Sequence, residues 1–463
     1  MKKLAIAVLN GSPKGDESVT MQYVRFIQKK FPEHEYRVFN VAQLVNRLEK
    51  DKKYFDEIMR AAGSSDAVIW SFPLYFLFVC SQYKRFIELV HERRAEKYFR
   101  GRYAAAISTS IHFFDHTAHE YIQAVAEDMG MRFAGSHSAD MYDLMKRGER
   151  ERLLLFARGI FETVAQGSPV TRRFEPLSRP RLSYKPGPAR NRLEAGGRRI
   201  LVLTDERDPR SNLNKMVERF AGSFTGGVEI ANLHDVDIRG GCQGCIRCGY
   251  DYRCAYTGKD GYIDFFNERV RTAGILVLAG SIRDRYLSSR WKLFIDRSFF
   301  NTHTPVYTGM QVGFLISGPL RQIHSLRLGL STFFELQGAG VVDFVTDECE
   351  SSKQLDGMID GLARRIIWRA ENNFFAPLTF PCVGGRKVFR DDMYGRLRFP
   401  FRADHLFFKK HDLYDFPQKD FKSRIRNAIM LALAAIPSMR KEIYVKRMRS
   451  EMVKPLRYVV DHK

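Results

Sequence analysis

Two doubly wound α/β parallel sheets in tandem, each of strand order 2-1-3-4-5, with a basic helical extension behind them, are the fold the sequence predicts. Three observations predict it. Strand-length apolar runs alternate with amphipathic helical stretches, and the alternation occurs twice along 463 residues. A Pro-, Gly- and Arg-rich stretch separates the two runs. The segment "SQYKRFIE" (Ser81 to Glu88) returns 208 residues later as "SRWKLFID" (Ser289 to Asp296), each copy just after the third strand of its half. The expected divisions are residues 1–165, a linker 166–197, a second α/β domain 198–372 and an extension 373–463.

In the first half, "KLAIAVLN", "YRVFNV", "DAVIWSF" and "YAAAIST" have the continuous apolar character of strands covered on both faces. Helical periodicity falls near 18–30, 50–61, 81–95, 115–129 and 147–165. The second half repeats the order with "RRILVLT", "VEIANL", "GILVLAG", "MQVGFLI" and "VVDFVT". Its helices are expected near 211–222, 260–272, 287–299, 323–337 and 353–371. In the extension, "FRADHLFFKKHDLYDFPQ" is aromatic and basic, and helices are expected near 419–436 and 438–452.

Composition narrows the classes. Hydrophobic residues make up 44% and aromatics 13%, enough for packed cores. The apolar run "AIMLALAAI" is far shorter than the ~20 residues of a spanning helix. A soluble cytoplasmic protein is expected, with its cysteines reduced. The net charge of +22 is concentrated: residues 166–199 hold nine Lys/Arg against two Glu, and residues 383–463 hold twenty against nine Asp/Glu. Such a tail suits an acidic protein or an anionic membrane surface. Nucleic-acid binding is disfavoured because no helix-turn-helix, zinc finger or RNA-recognition motif is visible.

The first strand runs into "NGSPKGDESVT" (Asn10 to Thr20), a Gly/Ser loop opening a helix. Backbone N–H groups there favour an anion, and hydroxyls add donors. It lacks the Gly-x4-Gly-Lys-Ser/Thr spacing of a nucleoside triphosphate loop. "SFPLYFLF" ends the third strand and "STSIHFFD" the fourth. In this strand order those three loops meet at the switch point where a flavin lies. The candidate cofactor residues are Ser12, Pro13, Lys14, Ser18, Val19 and Thr20 for the phosphate, with Pro73, Leu74, Tyr75 and Phe76 walling the ring. Ser108, Thr109 and Ser110 would bond the ring edge. His112, His116 and His119 are close in sequence, yet packing roles are favoured over metal binding.

Four of the seven cysteines, Cys242, Cys245, Cys248 and Cys254, are spaced C-x2-C-x2-C-x5-C. Such a loop can wrap thiolates around an iron–sulfur cluster or a zinc ion, or carry empty thiols. Arg239, Arg247 and Arg253 would lower the thiol pKa values. Cys80, Cys349 and Cys382 are expected to be buried structural residues.

The phosphate loop, "FPLYF…YKRFIE" and "STS" resemble the flavodoxin-like NAD(P)H-dependent FMN reductases. The second half, with "CQGCIRC…C" and "SSRWKLFIDR", resembles the iron–sulfur flavoproteins of that superfamily. The resemblance implies FMN as cofactor, a 4Fe–4S cluster on the four cysteines, and NAD(P)H or a ferredoxin-type protein as donor. It leaves catalysis to the flavin rather than to a side chain. The second half's own first loop, "TDERDPRSNLN", has Asp205 and Glu206 where Gly11 and Ser12 would stand, and carboxylates there repel phosphate. The halves are therefore expected to pack as an internal pseudo-dimer, one holding FMN and the other the cluster, in place of a homodimer or as part of one. The alternative is a non-catalytic electron carrier or redox sensor.

Overall fold

The computed structural model describes residues 2–189 and 192–462, so residues 190 and 191 of the expected linker lie outside the described residues. The chain divides into two compact units, Met1–His405 and Leu406–Lys463.

The first unit opens with strands β1 (Ala5–Asn10), β2 (Glu35–Phe39), β3 (Ala67–Pro73), β4 (Tyr103–Ser110) and β5 (Arg132–Asp140). They form a parallel sheet of order β2-β1-β3-β4-β5, as expected. Helices α1 (Val19–Lys30), α2 (Lys52–Ser64), α3 (Ser81–Glu92), α4 (Asp115–Asp128) and α5 (Arg147–Gln166) connect and cover it. The second half has β6 (Ile200–Thr204), β7 (Val228–Asn232), β8 (Ile275–Arg283), β9 (Tyr286–Leu287), β10 (Gln311–Ser317) and β11 (Gly340–Thr346). Its order is β11-β10-β8-β6-β7, the same winding, with the two-residue β9 as an antiparallel addition to β8. Helices α6 (Asn212–Ala221), α7 (Ser289–Arg297), α8 (His324–Leu336) and α9 (Ser352–Glu371) complete the repeat. The helix expected near 260–272 is a single α-turn, Tyr262–Phe265, continued by a wider π-turn, Phe266–Val270. Beyond the repeat come α10 (Phe380–Tyr394), α11 (Arg402–Lys410), α12 (Phe421–Ala435) and α13 (Met448–His462). Among the described residues no helix is long and apolar enough to cross a membrane.

The described part of the linker is no free tether. Tyr184 is fully buried against the second half, its N–H donating to Asn212 Oδ1 (2.9 Å) and its hydroxyl to Asp356 Oδ1 (2.5 Å).

The two sheets meet through the repeated segments. Ser81 N, at the start of α3, donates to Asp296 Oδ2 at 2.6 Å, and Ser289 N, at the start of α7, donates to Glu88 Oε1 at 2.6 Å. Each motif's terminal acid thus caps the other copy's helix, satisfying an N–H that has no partner within its own helix. The Ser289 hydroxyl also donates to Glu88. Two lysines with no solvent exposure complete the exchange. Lys84 Nζ donates to Glu88 (3.1 Å) and to the Arg283 carbonyl (3.0 Å), and Lys292 Nζ donates to Asp296 and to the Tyr75 carbonyl (3.0 Å). Arg283 and Tyr75 are themselves 208 positions apart. Phe78 and Tyr286, another pair at that offset, stack on each other with ring centroids 3.8 Å apart. Contact between a residue and its own counterpart marks a pseudo-two-fold axis, the geometry of an isologous interface within one chain. The backbone repeats it as well: Phe76 and Leu77 have positive φ (39° and 61°), and so do Asp284 and Arg285 (49° and 63°).

Removing one partner of a buried ion pair leaves the other charge without compensation, at roughly 3–5 kcal/mol. Asp296→Ala is therefore expected to lower the unfolding free energy by that amount in urea titration, because it strands Lys292 and uncaps α3. An exposed control such as Asp56→Ala, whose partner Lys52 is solvated, should change it by less than about 1 kcal/mol.

Candidate functional site

The carboxyl ends of β1, β3 and β4 carry three loops, and each is built by identifiable local chemistry. In the first, Asn10 is the organiser. Its Oδ1 accepts from Ser12 N (3.0 Å), and its Nδ2 donates to the Gly15 carbonyl (2.9 Å) and to Asn40 Oδ1 (2.8 Å). Gly11 is required by close packing, since a Cβ there would stand 2.3 Å from the Tyr83 ring. Ser12 is buried, its Oγ accepting from Lys14 N (3.2 Å). Ser18 caps α1 by accepting from Met21 N (3.1 Å). Val19 and Thr20, as the first helical residues, present N–H groups with no acceptor inside the helix. Pro13 completes the turn between them and the strand.

Thr20 joins this loop to the fourth strand, because its hydroxyl pairs with that of Thr109 at 2.6 Å. Beside it, Ser108 Oγ pairs with His119 Nε2 at 2.7 Å, and Ser110 Oγ accepts from His112 N at 2.9 Å. Burial pushes the His119 imidazole down to about 4, so the ring is neutral near neutrality. His119, expected in a packing role, tilts against the Phe72 ring at 5.4 Å while its Nε2 meets Ser108.

The third-strand loop turns tightly. Pro73 ends β3, Leu74 N donates to the Thr109 carbonyl (3.2 Å), and Tyr75 and Phe78 exchange backbone hydrogen bonds (2.7 and 3.0 Å). Phe76, expected beside a flavin ring, instead inserts between Phe299 and Phe333 of the second half, edge-on to both at 5.2 and 5.3 Å. Tyr75 points toward the cysteine loop: a Cβ on Gly244 would lie 1.9 Å from its hydroxyl oxygen and 3.0 Å from Lys14 Cε. Burial, with Cys242 and Cys80 next to it, raises the Tyr75 phenol well above its usual value. Gln82, in the first turn of α3, donates to the Cys242 carbonyl at 3.0 Å.

So the cysteine loop of the second half sits against the loops that follow β1 and β3 of the first. It folds on itself through left-handed residues at Gly244, Ile246 and Tyr252 (φ 63°, 57° and 62°). Cys242, Cys245, Cys248 and Cys254 all line one cavity, together with Arg297, Phe299 and Phe300. Yet among the described residues no three His, Cys, Asp or Glu side chains stand close enough to grip one metal ion. The expected four-cysteine ligand set is thus gathered round a cavity but not drawn together on a single ion. Burial pushes the Cys242 and Cys248 thiols up to about 12. This corrects the expectation that Arg239, Arg247 and Arg253 would depress them. The cation that lines the cavity is Arg297, 2% exposed, which grips Asp260 through two nitrogens (2.7 and 2.9 Å). Its Nε is buried and has no acceptor, a free donor on the wall of a thiol cavity. Of the other cysteines, Cys80 and Cys382 are buried as expected and Cys349 is half-buried.

The segment after the repeat closes round both loops. A Cβ on Gly385 would meet the Phe113 ring at 2.5 Å, and one on Gly249 would meet the Pro400 carbonyl at 2.1 Å. Arg396 pairs with Asp140 at the end of β5 (2.8 Å).

The second half's first loop turns two acids onto donors of its own half. Glu206 Oε1 accepts from Arg207 N and Asp208 N, both at 2.8 Å. Asp205, at the place of Gly11, turns inward to accept from Trp291 Nε1 (3.0 Å) and from the Ser288 hydroxyl. Burial raises its carboxyl above the usual value.

Residues 4–139 match the family model described as NADPH-dependent FMN reductase; over that range the resemblance drawn from the sequence is borne out. No curated protein matches the chain. Among solved structures it is similar to an NADH:FMN oxidoreductase in its apo form (18% identity, 37% of this chain and 95% of that one, TM-score 0.31). It is also similar to an FMN-dependent NADH-azoreductase from Bacillus anthracis in complex with FMN (14%, 35% and 99%, TM-score 0.27). A third is an oxidoreductase from Corynebacterium diphtheriae (12%, 36% and 99%, TM-score 0.31).

The His119 shift makes stability depend on pH. Between about 6.5 and about 4 the unfolded chain binds a proton that the folded one does not, so stability falls as pH falls through that window. Wild type should lose about 3 kcal/mol there relative to His119→Gln, which has no such proton. Urea unfolding of both proteins at pH 7 and pH 4 reads the difference directly.

Proposed function

We propose that the protein is a flavin-dependent oxidoreductase that holds one FMN in its first half and a 4Fe–4S cluster on the cysteine loop of its second. NAD(P)H or a ferredoxin-type protein is the donor, and an acceptor receives the electrons from the pair of cofactors. The observation that carries this reading is the convergence of Gly244, Tyr75 and Lys14, which sets the thiol cavity of one half beside the phosphate loop of the other.

Bound FMN supplies hydride and single-electron chemistry, and a cluster supplies single-electron chemistry. The chain's own residues bind, orient and insulate. The α1 amino terminus with Ser12, Ser18 and Thr20 receives the phosphate, and Lys14 adds positive charge. Pro73, Leu74 and Tyr75 wall the ring, while the Thr109 and Ser110 groups and the neutral His119–Ser108 pair supply donors and acceptors at its edge. Cys242, Cys245, Cys248 and Cys254 hold the cluster, with the unpartnered Arg297 Nε as a donor to it. A cluster suits the cavity better than a single zinc ion. Four thiolates about 2.3 Å from one ion must crowd together, whereas in a cluster each thiolate takes its own iron. The self-capped loop of the second half supports one flavin per chain rather than two.

Anaerobically purified protein should contain one FMN and about four irons per chain, and its flavin should be bleached rapidly by NADH, NADPH or reduced ferredoxin. Cys248→Ala should lose the iron and keep the flavin. Two FMN with no iron, or a chain inert to all three donors, would contradict the proposal.

A further inference from the structure

The second unit, Leu406–Lys463, carries exposed apolar surface. No residue of α12 or α13 is buried. Ile429, Met430 and Leu431 are 57%, 42% and 66% exposed. Successive helical residues project about 100° apart, so these three alone present apolar surface round most of α12. The run Ala428 to Ile436 contains no polar residue. A protein groove covers one stripe of a helix, and a helix apolar all round is stable only where it is surrounded. At 1.5 Å per residue the run is roughly 13 Å long, less than half of a ~30 Å hydrocarbon core. Lys422, Arg424 and Arg426 precede it, and Arg440 and Lys441 follow it.

Helix α13 has a second arrangement of the same kind. Met448, Met452, Leu456 and Val459 are spaced four, four and three residues apart, which puts them on one stripe. Lys454 and Arg457 project from the other side. From residue 419 to residue 463 there are twelve Lys/Arg against four Asp/Glu.

We propose that this unit is an in-plane anchor for an anionic lipid bilayer. The apolar turn of α12 and the stripe of α13 enter the boundary between headgroups and acyl chains, and the flanking lysines and arginines meet lipid phosphates. An acidic protein would answer the charge and a second copy one apolar face. Lipid answers both, because it surrounds the helix and carries the opposite charge.

The test is flotation of the full-length protein with vesicles of pure phosphatidylcholine and of phosphatidylcholine with roughly 30% phosphatidylglycerol. Wild type should float with the anionic vesicles about tenfold more than with the neutral ones, and high salt should release most of it. Leu431→Glu should cut anionic binding about tenfold. Arg424→Glu with Arg426→Glu should erase the preference for phosphatidylglycerol. All three positions are exposed, so the far-ultraviolet dichroism of the variants should match wild type. The proposal is overturned if wild type floats with neither vesicle, or if Leu431→Glu floats as well as wild type. It is also overturned if the exposed run drives concentration-dependent self-association without vesicle binding, which would assign the surface to a second copy.

Discussion

The site depends on an exchange of caps. Glu88 holds the start of α7 and Asp296 holds the start of α3, each acid backed by a buried lysine that also ties down a carbonyl of the opposite half. Neither half can supply the caps of its own helix from this exchange alone. Separating the halves would uncap two helix termini and leave each lysine only the acid of its own helix. That constraint fixes the distance between the switch point of the first sheet and the loop that precedes β8 of the second.

Symmetry of the frame and asymmetry of the loops then divide the work. The frame repeats down to the strained backbone at Phe76 and Leu77, matched at Asp284 and Arg285. The loops do not repeat. In the first half, glycine at position 11 lets Tyr83 pack against the backbone. In the second, Asp205 bonds to Trp291, while Glu206 accepts from two amide groups of its own loop. The cysteine loop, absent from the first copy, crosses the pseudo-axis and abuts Lys14 and Tyr75.

Much of this was legible in the sequence. The central strands were, because both faces are buried and their apolar runs are unbroken. The edge strand β5 was not: "RFAGSHSAD" mixes small and polar residues, and it carries a register shift opposite Ala104/Ala105. Helix α10 was hidden by Pro381 at its start and by Gly384-Gly385 inside it, where Gly385 admits Phe113. The Ser-to-acid motif revealed the repeat, but nothing in one dimension says that each acid caps the other copy. The cysteine spacing revealed a ligand-rich loop, but the contact of Gly244 with Tyr75 spans 169 positions and depends on the interface. The aromatic partners of Phe76, Phe299 and Phe333, were hidden for the same reason, since they lie in the other half.

Hydrogen exchange in Asp296→Ala against wild type reaches the central dependence most directly. If the exchanged caps set the thiol cavity against the phosphate loop, exchange should quicken together at Ser81–Lys84, across residues 240–256, and in the loops around Lys14 and Tyr75. Faster exchange at α3 alone, with the cysteine and phosphate loops protected as in wild type, would contradict the account.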